Sequence, residues 1–201
     1  MKDYRFDKYL HIRTQPQKHL DYPDEIQYNP YEPTPYGALE ELSRVYTPTN
    51  GYLVDYGCGK GRVSFYFHHY SKMGVKGVEM DENIIQMAMD NHNCYRDYHG
   101  SGEVEFICCL AEEYFVSKDD CNFYFFNPFT IHIFRKVIQN ILTSIETHPR
   151  NVDIIMYYPH QEYIYFLENS TPFECVQEVP YSILYENNPD ERFLIYRFSS
   201  M

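Results

Sequence analysis

The sequence predicts a doubly wound α/β protein: a mostly parallel sheet between two layers of helices, with an antiparallel hairpin at one edge. Three observations carry this expectation. From residue 51 onward, short continuously apolar segments alternate with helical patterns, as they do in a parallel sheet buried on both faces. A glycine-rich turn at 57–61 follows directly on the first strand. The last two strand segments follow one another with no clear helix between them, which makes them an antiparallel pair.

The elements follow in order. Residues 1–33 are polar, aromatic and dotted with prolines (Pro16, Pro23, Pro30, Pro33), and read as an irregular arm. Thr34 offers an N-cap and Pro35 suits the first helical position. Leu39, Leu42 and Val45 then give one apolar face to a short helix ending near Pro48. Tyr52–Tyr56 is the first strand and Arg62–Ser71 the helix after the glycine turn. Val75–Met80 is the second strand, and Asp81 caps a helix carrying Ile84, Ile85, Met87, Ala88 and Met89. Val104–Cys109 and Asn122–Phe126 are the third and fourth strands.

Ile131, Phe134, Val137, Ile138, Ile141, Leu142 and Ile145 recur at steps of three and four, the strongest helical stripe in the chain, with Thr130 placed to cap it. Val152–Tyr158 is the fifth strand and His160–Asn169 a short helix. Phe173–Val179 and Arg192–Phe198 close the sheet.

The 201 residues suit one domain, 1–201, with an arm and helix at 1–50 that could form a lid and an α/β core at 51–201. Hydrophobic residues at 44% and charged residues at 23% argue against a largely disordered chain. No apolar run of about 18 residues suggests a membrane span. The N-terminal residues are too charged for a signal peptide, so the expected compartment is the cytoplasm.

Seventeen basic against 29 acidic residues give a net charge of −12, which repels phosphate backbones and disfavours a duplex nucleic-acid partner. The six cysteines form no CxxC pair and read as reduced thiols, and no metal site is expected: His92 and Cys94 are close, but no second ligand pair follows. Twenty-two tyrosines without a tryptophan reflect either an aromatic binding surface or, the preferred reading, a composition bias. The oligomeric state is left open.

The segment Leu53–Arg62, LVDYGCGKGR, carries the chemistry. Gly57, Gly59 and Gly61 take alternate positions after the first strand, where glycine permits positive φ and lets a ligand approach the backbone. The following helix points its unpaired N–H groups at the turn. Asp55 puts a carboxylate at the strand tip. Glu79 ends the second strand, about 20 residues further on, where a carboxylate can accept both hydroxyls of a ribose.

The spacing is G-x-G-x-G, not the dinucleotide fingerprint G-x-G-x-x-G, and Arg62 stands where the third glycine of that fingerprint would be. A carboxylate at Asp55 repels a pyrophosphate and attracts an ammonium. The pattern fits a cationic, non-phosphorylated adenosine, S-adenosylmethionine.

With these residues the sequence resembles the class I S-adenosylmethionine-dependent methyltransferases, whose first motif VDYGCGKGR resembles and whose second GVEMD (Gly77–Asp81) resembles; small bacterial members with D-x-G-C-G-K-G-R and a later N-P-F are similar. The resemblance spans roughly Gly51–Tyr158 and implies the seven-stranded Rossmann-like fold of that class. It implies that Asp55 and the turn Gly57, Cys58, Gly59 and Gly61 face the methionine part, that Glu79 holds the ribose and that Met80 packs on the adenine. It places Ala111 and Glu112 at the adenine edge, although Leu110 stands where many members have an acid.

Phe125–Phe129, FFNPF, partly resembles the N-P-P-Y signature of enzymes that methylate amine nitrogens. By that likeness Asn127 touches both cofactor and substrate and is the catalytic candidate, Pro128 and Phe129 meet the substrate, and Phe129 offers the aromatic face. The alternative is that Asn127–Pro128 turns the chain and caps the amino-acid end of the cofactor.

Tyr158, His160 and His132 lie near the same mouth. His68 and His69 read as structural or solvated. Cys58 needs only to be small and is not read as a nucleophile. Arg13, Thr14, Tyr28, Tyr31 and Tyr36 are candidates for a lid, with Arg13 on the methionine carboxylate and Tyr36 near the substrate.

The expected activity is methyl transfer to a small-molecule or protein acceptor. Two rivals stand beside it: a non-catalytic S-adenosylmethionine-binding protein and a nicotinamide-dependent oxidoreductase.

Overall fold

A computed structural model describes residues 3–16, 29, 31–100 and 102–200. Pro23, Tyr28 and Pro30, which the sequence reading singled out, lie outside the described residues. Seven strands form one sheet in the order β3-β2-β1-β4-β5-β7-β6. They are β1 (Tyr52–Tyr56), β2 (Val75–Glu79), β3 (Val104–Cys108), β4 (Asp120–Phe125), β5 (Val152–Tyr157), β6 (Glu174–Pro180) and β7 (Arg192–Phe198). The first five are parallel; β7 runs antiparallel to both β5 and β6. The chain winds outward from β1 through β2 to β3, then returns to β4 on the other side of β1, so the switch in strand order falls between β1 and β4.

The side-chain period of two splits each inner strand between two apolar layers. Leu53, Tyr124, Ile155 and Tyr157 face one cluster; Val54, Phe123, Phe125, Ile154 and Met156 face the other. The first layer is covered by α1 (Asp3–Leu10), α2 (Tyr36–Val45), α3 (Arg62–Ser71) and α4 (Glu82–His99). The second is covered by α5 (Ile131–Thr147), α6 (Gln161–Ser170) and a 3-10 turn at Ala111–Glu113. On α5 the buried set is Ile133, Phe134, Val137, Ile138, Ile141 and Ile145, largely the stripe that the sequence spacing predicts. Asp81 caps α4 by accepting from the Asn83 and Ile84 amides, an arrangement worth roughly 1 kcal/mol.

The far end of the sheet is held by buried carboxylates. Asp120 accepts from Lys76 at 2.6 Å and from Tyr114 at 2.9 Å. Asp153 takes both Arg197 Nε and Nη2 at 2.7 Å and the Tyr46 hydroxyl at 2.6 Å.

Several expectations are corrected. The arm is not irregular throughout: α1 inserts Phe6 and Leu10 into the first cluster, because its sparse apolar residues lie on one face. Pro35, not Thr34, holds the N-cap position of α2, and the Thr34 hydroxyl is bonded to the Tyr124 hydroxyl at 2.8 Å instead. Val45 is exposed at the end of α2. Thr130 stands at the N-cap of α5 but its side chain makes no capping bond. A one-turn helix, α7 (Ser182–Tyr185), interrupts the connection between β6 and β7.

The arm is fastened by a polar knot. Asp7 accepts from the Thr14 amide and hydroxyl, both at 2.8 Å, and from the Tyr36 hydroxyl at 2.7 Å. Arg62, only 2% exposed, donates Nε to the Thr14 hydroxyl at 2.7 Å and Nη1 to the Thr34 carbonyl at 3.0 Å, and lies over the Tyr36 ring. An unsatisfied buried donor costs about 1–3 kcal/mol. Asp7→Ala orphans three donors, so it is expected to lower stability by at least about 3 kcal/mol and to speed amide exchange in residues 3–16. Urea unfolding with an unchanged midpoint would remove this knot from the energetics.

Candidate functional site

The site lies at the carboxyl ends of β1, β2 and β4, the crevice where open α/β sheets take their ligands. The turn between β1 and α3 is built on left-handed backbone, with φ of +72° at Gly57 and +53° at Gly59. Its bareness also makes room for neighbours. A methyl group on Gly57 would stand 2.6 Å from Pro128, and one on Gly59 would collide with the Tyr31 ring. The amides of Gly57 and Cys58 both donate to the Val78 carbonyl, at 2.9 and 3.0 Å, which ties the turn to the end of β2.

Glu79 completes this tie. Its Oε2 accepts from the Gly59 amide at 3.1 Å; its Oε1 accepts from Met80 at 2.9 Å and Asp81 at 3.1 Å. Burial raises its pKa, and the three backbone donors partly oppose the rise. Asp55, 3% exposed, lies beneath the turn and accepts from the Ser64 hydroxyl at 2.9 Å. Burial pushes its carboxyl up to about 7; the Ser64 bonds oppose this and the charge of Glu79 adds to it. Cys58 is buried, its thiol reaching over Gly77, and burial first, then the two carboxylates, holds it well above the usual thiol range. Such a thiol is not a nucleophile near neutral pH.

The arm closes over the turn. Tyr31 lies on Gly59 and donates its hydroxyl to the Thr14 carbonyl at 2.5 Å. Lys60 is turned toward the arm, donating to the Gln15 carbonyl at 2.8 Å. Arg13 is exposed, and its backbone is joined by Asn91 of α4 to the Lys60 carbonyl. Tyr36 has a different place from the one expected: it is fully buried, stacked on Phe6 at 4.5 Å, and belongs to the knot rather than to a substrate surface.

At the ends of β4 and β5, two non-glycine residues adopt left-handed backbone, Asn127 (φ +40°) and Tyr158 (φ +49°). Such residues cost energy and concentrate at functional sites. The Asn127 carboxamide bridges the two ends: its Nδ2 donates to the Tyr158 carbonyl and its Oδ1 accepts from the His160 amide at 3.0 Å. The Asn127 carbonyl accepts from Asn29 Nδ2 at 2.6 Å. Phe129, expected to offer an aromatic face, turns into the core against Phe125, because the chain needs an apolar side chain there to seal the top of α5. A cavity of about 420 Å³ opens beside these residues, with His132, His160, Glu162 and Tyr163 in its wall.

Around the expected adenine edge, Met80 is half-buried and Ala111 buried. Glu112 extends toward Lys136 of α5 at 3.4 Å, and its carbonyl accepts from Asn140. The structure therefore gathers Asp55, the glycine turn, Glu79, Pro128 and Tyr31 about one point and commits Tyr36 and Phe129 to the core. Sequence reasoning missed Asp7, Ser64, Asn29 and Asn91. Asp7 carried no signal once the arm was read as irregular; Ser64, one turn into the helix after Asp55, could have been found from its spacing.

No protein-family model matches the sequence, and no curated protein is similar enough to match. Solved structures share the fold. A S-adenosylmethionine-dependent methyltransferase from Thiobacillus denitrificans, in complex with S-adenosylhomocysteine, is 10% identical with a TM-score of 0.51, over 84% of this chain and 92% of that one. Phosphoethanolamine N-methyltransferase 1 of Haemonchus contortus is 15% identical with a TM-score of 0.57, over 82% of this chain and 42% of that one. The [4+2]-cyclase SpnF is 12% identical with a TM-score of 0.58, over 82% and 81%. The fold is that of the class I methyltransferases, a fold that also serves a cyclase, so chemistry must be argued from the site.

Asp55 makes one property of the site measurable. A raised folded-state pKa means that its contribution to stability is complete below the ordinary carboxyl value near 4 and is lost as pH rises through about 7. Asn cannot ionise. The stability of Asp55→Asn relative to the parent chain should therefore climb between pH 4 and 7, measured by urea midpoints. A flat difference would show that Asp55 ionises freely in the folded protein.

Proposed function

We propose that this chain is a S-adenosylmethionine-dependent methyltransferase acting on a small molecule or a protein group. One observation carries the reading: two carboxylates, Asp55 and Glu79, flank a bare glycine turn whose lysine, Lys60, is turned away to the Gln15 carbonyl. A diphosphate would meet negative charge there. A positively charged amino-acid end relieves it, and burial strengthens the attraction. The donor set thus fits the cofactor.

When bound, S-adenosylmethionine supplies a methyl group on a sulfonium carbon. The residues of the chain align and desolvate. Asp55 supplies negative potential from beneath the turn. Glu79 Oε2 takes a single backbone donor and has capacity for a ribose hydroxyl. Met80 offers an apolar edge to the adenine, and with Glu112 engaged by Lys136, backbone groups at 110–112 around Ala111 serve its polar edge. Tyr31 lies over the turn and would serve as part of a lid. The acceptor enters through the cavity beside Asn127, whose wall carries the imidazoles of His132 and His160. An amine acceptor would use the second lone pair of Asn127 Oδ1.

A second reading, a S-adenosylmethionine-binding protein without transferase activity, is favoured by one fact: the Asn127 carboxamide and the Phe129 ring are both engaged within the fold. Formation of S-adenosylhomocysteine in the presence of candidate acceptors separates the two. For either reading, Glu79→Ala should weaken S-adenosylhomocysteine binding by more than tenfold in calorimetry with the circular-dichroism spectrum unchanged; equal affinity would refute the ribose assignment. Affinity for S-adenosylmethionine should rise several-fold from pH 6 to pH 8, since the cation needs Asp55 ionised, and Asp55→Asn should abolish that slope.

A further inference from the structure

A second cavity, about 640 Å³, lies between α1, residues 12–16 and α4. That volume is in the range of small-molecule sites, roughly 300–1,000 Å³. Tyr4, Ile12 and Met87 give it apolar wall, and Lys8, Arg13 and Lys60 give it three cations. In a chain of net charge −12 this is a local reversal of sign.

The cations are available for a ligand. Lys60 is 3% exposed, and its ammonium, with three donors, gives one to the Gln15 carbonyl. Among the described residues, the Lys8 and Arg13 side chains have neither an ion pair nor a hydrogen bond. The two acids in the wall, Asp7 and Asp90, leave the three cations in excess. Asp7 is spent on Thr14 and Tyr36, and Asp90 is exposed and accepts from Gln86. Burial lowers the Lys60 pKa, and the charge of Asp7 only partly opposes this.

We propose that this cavity binds a small organic anion, a compact carboxylate or phosphate-ester head on Lys60 with an apolar body against Tyr4, Ile12 and Met87, as an effector site separate from the strand-end crevice. Lys60 lies between Gly59 and Gly61, and its carbonyl is held by Asn91, which also grips Arg13. Gln15 adjoins Thr14, which receives Arg62. An anion seated here pulls on the turn and on the arm together, and so couples to whatever occupies the crevice.

The test is calorimetric titration of the full chain with phenyl phosphate and with phenylacetate, which distinguish the two heads, against inorganic phosphate and benzyl alcohol. At least one aryl anion is expected to bind tenfold or more tighter than both controls. Lys60→Met should lose at least tenfold. Lys8→Gln/Arg13→Gln, confined to exposed side chains, should lose several-fold and decides the matter if Lys60→Met does not fold. Saturating S-adenosylhomocysteine should leave the stoichiometry at one. Absence of aryl-anion binding, equal binding by the variants, or displacement by S-adenosylhomocysteine overturns the proposal. Aryl-anion binding without any S-adenosylhomocysteine binding leaves it standing and defeats the methyltransferase reading instead.

Discussion

The structure depends on a turn that carries almost no side chains. Pro128, at the end of β4, comes against Gly57, and Tyr31, from the arm, lies on Gly59; neither approach survives a Cβ. Two distant segments therefore meet the end of β1 only because that end is bare. Of the three glycines only Gly57 is left exposed once these neighbours are in place.

Arg62 extends this constraint into the arm. It sits one residue past the last glycine and is buried, where an isolated charge would be costly. Thr14, Thr34 and the Tyr36 ring receive it, and all three lie before β1. The segment that covers the turn is thus held by the residue that ends the turn. The coupling we propose between the crevice and the neighbouring cavity would run through these contacts.

Two carboxylates set the electrostatics of the crevice. Asp55 and Glu79 are both desolvated, and the charge of Glu79 adds to the cost of ionising Asp55. The Asn127 bridge adds a different constraint at the mouth, holding two left-handed residues in register at the ends of β4 and β5.

The seven strands and their order of appearance were legible in the sequence because each inner strand is a short apolar run and α5 keeps an unbroken helical stripe. The glycine turn was legible because positive φ at 57, 59 and 61 favours that residue, and Asp55 and Glu79 stood out by their places at the ends of β1 and β2. What only tertiary structure decided was direction. Whether Tyr36 and Phe129 face a ligand or the core, whether Lys60 faces the turn or the arm, and that Asp7 gathers Thr14 and Tyr36 all depend on how segments meet in space. A pattern along the chain records what the backbone can do locally; which side of it a side chain takes is settled only when the other segments arrive and occupy the space.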